Sequence, residues 1–211
     1  MTGIARKAVA ELVSTFLFVL SIIGAVNSGS PLTPLAIGLA LTVLVYAAGH
    51  ISGAHLNPAV SFGVLIRGGI GVADFIVYVV AQLIGAAAAA LVSFALWPRA
   101  DKAMKLEVGP AFLVEALFTL ALVWIVLNVA TAKDNDGNSF YGLAIGGVVF
   151  VGATAVGSIS GGGFNPAVAL GLSISGQFDW AYIWLYFVAP LVGAAVAAVL
   201  FRALNNDKAA A

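Results

Sequence analysis

The chain has 211 residues, of which 62% are hydrophobic and only 9% charged, and its nine Lys and Arg balance nine Asp and Glu. This composition excludes a soluble globular domain and marks a polytopic membrane protein, and the zero net charge gives no sign of a nucleic acid or other polyanionic partner. Cysteine is absent, which removes disulfides, thiolate metal sites and thiol catalysis from consideration.

The first apolar segment, residues 8–26, follows Arg6 and Lys7 and has the outline of a secretory leader. Glu11 inside it, together with the internal repeat described below, favours a retained first span instead. Further segments long enough to cross a bilayer lie at 32–49, 72–97, 111–132, 140–157 and 180–204. The longest polar connections are 98–109 and 133–139, too short for a separate soluble domain.

Two shorter elements follow the second and the fifth spans. Residues 50–60 read HISGAHLNPAV, and residues 158–168 read SISGGGFNPAV. Asn57 and Asn165 are good N-caps, because each side-chain oxygen can accept from a free backbone N–H of the first turn. Pro58 and Pro166 then occupy the first helical position, where a missing N–H costs nothing. Glycines at 68 and 69 and at 176 limit both helices to roughly 13–15 Å, about half of a ~30 Å hydrocarbon core. Irregular backbone at 51–56 and 159–164 is tolerated at that depth only if it is buried in protein or lines a water-filled cavity. The pattern therefore predicts an all-α membrane protein with six spans and two half-helices meeting at a midplane pore or binding site. The Asn amides would donate to a passing solute, and the exposed carbonyls of 51–56 and 159–164 would supply an acceptor ladder.

The two halves repeat. The tetrad 35–38 recurs at 143–146, Asn57 at Asn165, Tyr78 at Tyr186, and the Gly-Ala-Ala run 85–87 at 193–195, each at the same offset. Three spans per half is an odd number, so the halves are antiparallel, an arrangement that places a site between discontinuous helices. Residues 1–211 form one channel-like domain on this reading, with repeat one at about 5–97 and repeat two at about 110–204. With the N-terminus inside, Arg6, Lys7, Arg67, Lys133, Arg202 and Lys208 face the cytoplasm against Arg99, Lys102 and Lys105 outside, which supports cytoplasmic termini in a plasma or inner membrane. Gly38, Gly146, Gly85 and Gly193 read as close-packing positions between helices.

Glu11 and Glu115 sit at matching places in the first and fourth spans. A carboxyl there is expensive and a functional candidate by default. One per half reads as a structural anchor that accepts from free N–H groups of a re-entrant loop, and Gln82 reads as a further internal hydrogen-bonding group. Two His with no supporting ligands argue against a metal site, and no cofactor, nucleophile-base pair or phosphate loop is implied.

The two Asn-Pro-Ala boxes, Asn57-Pro58-Ala59 and Asn165-Pro166-Ala167, in inverted repeats resemble the aquaporin, or major intrinsic protein, family along nearly the whole chain. That resemblance implies a homotetramer with one pore per subunit, His50 holding the first loop and His55 facing the cytoplasmic vestibule. It also implies a four-residue selectivity filter at Ile37, Ala153, Gly162 and Val168. The family usually carries Arg where this chain has Val168, so the filter is expected to be wide and apolar unless an aromatic such as Phe164 or Phe150 refills it. The expected function is passive passage of water and small neutral solutes such as glycerol, urea or ammonia, with cations repelled by two helix N-termini. A secondary transporter on inverted repeats and a non-conducting structural relative are the alternatives.

Overall fold

The computed structural model describes residues 3–100 and 102–205, so Lys208 of the charge count lies outside the described residues. Eight α-helices follow in order: α1 (Gly3–Asn27), α2 (Thr33–Ser52), α3 (Pro58–Arg67), α4 (Val72–Ser93), α5 (Val108–Ala130), α6 (Tyr141–Ser160), α7 (Pro166–Ser175) and α8 (Ile183–Leu204). Six spans are long and apolar enough to cross a membrane, the last beginning in a 3-10 turn at Trp180, and the two short helices α3 and α7 complete the set. The chain is a multi-pass membrane protein.

The helix ends show what the apolar pattern leaves out. Apolar character fades at Gly49 and Gly157, yet α2 and α6 each continue to a serine, Ser52 and Ser160. The stop is set by backbone geometry. Gly53 (φ 88°) and Gly161 (φ 84°) take the left-handed conformation, and their N–H groups donate to the Gly49 and Gly157 carbonyls at 2.9 Å. Gly68 and Gly176 end α3 and α7 in the same way. At the other extreme α4 stops at Ser93 and does not reach Trp97, because residues 94–97 fold into turns whose N–H groups donate to the carbonyls of Val92 and Ser93.

Packing interleaves the halves. α1 lies on α4 and its counterpart α5 lies on α8, while α2 and α6 pair with each other across the repeat boundary. Each half-helix crosses over: α3 packs chiefly on α8 of the second half, and α7 on α4 of the first. Small residues make these crossings possible. A Cβ on Gly38 of α2 would lie 2.6 Å from the Phe150 Cβ of α6, and one on Gly85 of α4 would lie 2.5 Å from the Leu12 carbonyl of α1. In lipid such close backbone approach replaces the hydrophobic drive available in water.

Polar ties fix the two faces. At one face Arg67, at the end of α3, donates to the Thr131 hydroxyl and carbonyl at 2.8 and 2.7 Å and lies over the Phe201 ring of α8. At the other, the α4–α5 connection comes across to the segment after α7, where the Met104 N–H donates to the Gln177 carbonyl at 3.0 Å. The half-helices thus have their far ends secured at opposite faces, leaving their N-termini to meet inside.

Candidate functional site

Both inner ends are built by the same local chemistry. The Asn57 side-chain oxygen accepts from the Ala59 N–H at 2.8 Å, and the Asn165 oxygen from the Ala167 N–H at 2.9 Å, with Pro58 and Pro166 at the first helical positions. The amide nitrogens do something that sequence spacing does not reveal. Asn57 Nδ2 donates to the Phe164 carbonyl at 2.9 Å and Asn165 Nδ2 to the Leu56 carbonyl at 2.8 Å, so the two loops are cross-tied at their junction. One N–H of each amide is committed to this tie. The second is left for whatever occupies the adjoining cavity.

The loops are held from behind by the two buried glutamates. Glu11 accepts from the Ser52 hydroxyl (2.6 Å), the His55 N–H (3.0 Å), the Leu56 N–H (2.8 Å) and Gln82 Nε2 (2.8 Å). Glu115 accepts from the Ser160 hydroxyl (2.7 Å), the Gly163 N–H (2.9 Å) and the Phe164 N–H (2.6 Å). The second half has one donor fewer, because Pro190 stands where the first has Gln82. Leu56 (φ 51°) and Phe164 (φ 47°) both adopt the left-handed conformation, which is uncommon for such side chains. Strain of this kind costs about 1–3 kcal/mol per residue and persists only where surroundings over-determine it. Here a carboxylate takes each residue's N–H and an asparagine takes its carbonyl.

Several members of this frame are invisible to motif reading. Ser52 and Ser160 each donate to their glutamate while their carbonyls accept from the Tyr78 and Tyr186 hydroxyls. Their signal was the repeat offset itself, since serine recurs at the same place in both halves. His50 differs from expectation, whereas His55 lines the cavity described below. His50 is exposed at the end of α2, and no side-chain hydrogen bond is found for it among the described residues. The loop is held by His55, whose Nδ1 lies 3.0 Å from the Ser61 hydroxyl and whose ring packs edge-on to Tyr78 at 5.0 Å between centroids. The physical reason is placement: the helix carries on past His50, so that residue never enters the loop.

A cavity of about 290 Å³ runs past this junction. Gly53, Ala54, His55 and Asn57 line it on one side and Gly161 to Asn165 on the other, with an apolar wall that includes Phe18, Leu41, Val60 and Leu172. It shares Gly53 and Ile145 with a second cavity of about 490 Å³ at the face of the α5–α6 connection, lined by Thr131, Asn135, Asn138 and Tyr141. The acceptor ladder is shorter than the expected spans 51–56 and 159–164. Ile51, Ser52, Ile159 and Ser160 belong to helices, and the Leu56 and Phe164 carbonyls are taken by the asparagines. Among the described residues the carbonyls of Gly53, Ala54 and His55, and of Gly161, Gly162 and Gly163, receive no hydrogen bond.

Of the expected filter positions, Ile37, Gly162 and Val168 line the cavity, whereas Ala153 lies behind Gly162, 3.3 Å from where a Cβ on that glycine would sit. Phe164 lines the cavity, stacked on Phe118 at 5.6 Å. Phe150 does not; it packs over Gly38 where α2 crosses α6. No described lining residue is Lys, Arg, Asp or Glu. Three further lining residues lie at the face of the α4–α5 connection and are absent from the motif reading: Met104, Gln177 and Phe178. Met104 had a sequence signal, being an apolar residue set between Lys102 and Lys105 in a polar connection.

Comparison with known proteins agrees with this geometry. The family described as Major intrinsic protein matches residues 2–201. The chain is 38% identical over 216 residues to a glycerol uptake facilitator protein-like 6 from Lactiplantibacillus plantarum, covering 96% of this chain and 99% of that one. It is 34% identical to a probable aquaporin NIP7-1 from Arabidopsis thaliana, covering 95% and 77%. In three dimensions it is similar to the aquaglyceroporin from Plasmodium falciparum, with a TM-score of 0.83 and 24% identity over 95% of this chain and 96% of that one.

Proposed function

The chain belongs to the major intrinsic protein family, and from that premise we propose that it is a passive channel whose pore admits polyols and ureas as well as water. The observation that carries the wider selectivity is Val168. It lines the cavity beside Ile37, Gly162 and Phe164, so the wall there is apolar, and no described lining residue supplies a fixed cation. A solute of glycerol size has carbon on one edge and hydroxyls on the other. The first edge suits Ile37, Phe164 and Val168, while the second meets the six unpaired loop carbonyls and the remaining asparagine N–H groups. Cations gain nothing from such a wall and face two helix N-termini, each equivalent to roughly half a positive charge. The relative from Lactiplantibacillus plantarum, which bears the name of a glycerol facilitator, lends support to this reading.

Stopped-flow light scattering on proteoliposomes tests it. Shrinkage in an impermeant osmolyte and re-swelling in glycerol or urea are both expected to exceed those of empty liposomes. Fast shrinkage with no re-swelling would mean that Phe164 closes the filter to everything but water.

We further propose a homotetramer in a plasma or inner membrane, each subunit with its own pore and the face of Arg67, Lys133 and Arg202 turned to the cytoplasm. Family membership supports the assembly, and the bias of basic residues towards that face supports the orientation. Native mass spectrometry should read four chains, and a protease added outside spheroplasts should leave a C-terminal tag intact. Monomers, or a cleaved tag, would count against the corresponding half of the reading.

A further inference from the structure

We propose that Met104 sets the upper size limit for solutes at the face of the α4–α5 connection, as a thioether wall in series with the four filter positions. The inference rests on the solute-channel reading above, in which Val168 leaves the filter itself wide. Along the stretch 157–163 the residues that line the cavity are Gly157, Gly161, Gly162 and Gly163, and each contributes backbone alone. A wall without side chains leaves the width to whatever faces it. From the α4–α5 connection the Met104 side chain reaches this wall, its sulfur 3.4 Å from where a Cβ on Gly161 would sit. Met104 lines the cavity and is partly exposed, so its side chain is open to what fills that space.

Local sequence explains why the thioether turns inwards. Lys102 and Lys105 are exposed on either side of it and hold the connection at the water interface. The Met104 N–H donates to the Gln177 carbonyl at 3.0 Å, and its backbone forms an isolated parallel bridge with Phe178. The backbone is therefore pinned while the side chain keeps its freedom. Behind it the Phe178 ring is buried and stacked on Tyr186 at 4.5 Å, and the Tyr186 hydroxyl donates to the Ser160 carbonyl. One side of this mouth is thus rigid, made of glycine backbone and a fixed ring, and the other is an unbranched chain with three rotatable bonds. Room for a solute depends on how far Met104 swings aside. Water asks for little and glycerol for more, whereas a four-carbon polyol needs the sulfur and its methyl displaced altogether. The permeant that this wall discriminates against is a longer neutral polyol.

The test compares the parent channel with Met104→Ala and Met104→Phe in proteoliposomes, measuring osmotic water flux and re-swelling in glycerol and in erythritol, with size-exclusion chromatography to show that each variant is folded. Cutting the side chain back to Cβ is expected to raise the ratio of erythritol to glycerol flux roughly tenfold, the low end of what room for one methylene makes in a fitted site. The bulkier and stiffer Met104→Phe is expected to lower the ratio of glycerol to water flux. An erythritol-to-glycerol ratio in Met104→Ala equal to the parent's overturns the proposal. Should Met104→Ala fail to fold, Met104→Phe decides, a lower glycerol-to-water ratio supporting the wall and an unchanged one overturning it. If the parent excludes both polyols, the wider-pore reading fails by itself, and Met104 is decided by glycerol entry through Met104→Ala, whose appearance supports the size limit and whose absence overturns it.

Discussion

Val168→Arg is expected to lower glycerol flux through this channel by roughly tenfold or more, equivalent to about 1.4 kcal/mol of added barrier, while water flux stays within about threefold of the parent. The first turn of α7 carries Val168 into the cavity wall, so a longer side chain there projects into the path that solutes share with Ile37, Gly162 and Phe164. A guanidinium brings five donors in a rigid plane. The unpaired carbonyls of Gly161, Gly162 and Gly163 line the same cavity and offer it acceptors, which would hold the side chain across the lumen. Water can hydrogen-bond to such a group and slip past, whereas a three-carbon polyol loses both the width and the apolar edge it needs. The added positive charge should also reduce any proton or cation leak, reported by a pH-sensitive dye trapped in the same vesicles. Unchanged glycerol flux in a well-folded variant would place the narrowest point elsewhere, with the Met104 and Gln177 end as the next position to probe.

Much of this architecture could be read without coordinates because lipid leaves the backbone few options. Six apolar runs had to be helices, since an unpaired backbone group in hydrocarbon is prohibitive. Asn57-Pro58 and Asn165-Pro166 announced caps because few residue pairs supply both the acceptor and the pre-set φ, and α3 and α7 begin where those pairs stand. What stayed hidden depends on contacts between distant segments. The cross-ties from Asn57 to Phe164 and from Asn165 to Leu56 span 107 and 109 positions, and a single sequence carries no sign that one N–H of each amide is already spoken for. That His55 and not His50 holds the loop turned on where α2 ends. A glycine at 49 looks like a stop, but only Gly53 has a left-handed φ. The Met104–Gln177 pairing brings together two connections that no periodicity links.

The repeat also explains why the pore combines rigidity with a soft lining. The two glutamates sit behind the loops, away from the cavity, and the described groups that line it are backbone, amide, hydrocarbon, the His55 imidazole and the Met104 thioether. No carboxylate is found among the described lining residues, and the loop carbonyls keep their positions without relying on a solute. The lining positions Val168 and Gly162 can then change while the frame of Glu11, Glu115, Ser52, Ser160, Tyr78 and Tyr186 stays the same.

That division of labour makes the glutamates a stability question, and Glu115→Ala is expected to be the most damaging single change in the second half. It strips acceptors from the Ser160 hydroxyl and from the N–H groups of Gly163 and Phe164, and each buried donor left unpaired costs about 1–3 kcal/mol. Phe164 would then hold its left-handed conformation with nothing on its N–H to sustain it. A combined loss of several kcal/mol in a chain of this size corresponds to a fall of about 10 °C or more in the melting temperature of the detergent-solubilised protein. Glu115→Gln should fall between alanine and the parent, because the amide keeps one accepting oxygen but turns an NH₂ towards a donor. Glu11→Ala should be worse than Glu115→Ala, as four donors converge on Glu11 and Gln82 Nε2 would lose one of its two partners. Thermal melts of the four proteins, with channel yield from size-exclusion chromatography, read this order directly. If Glu115→Ala melted with the parent and instead changed the ratio of glycerol to water flux, the carboxylate would belong to the permeation path, and the loop would have to be held by its asparagine tie alone.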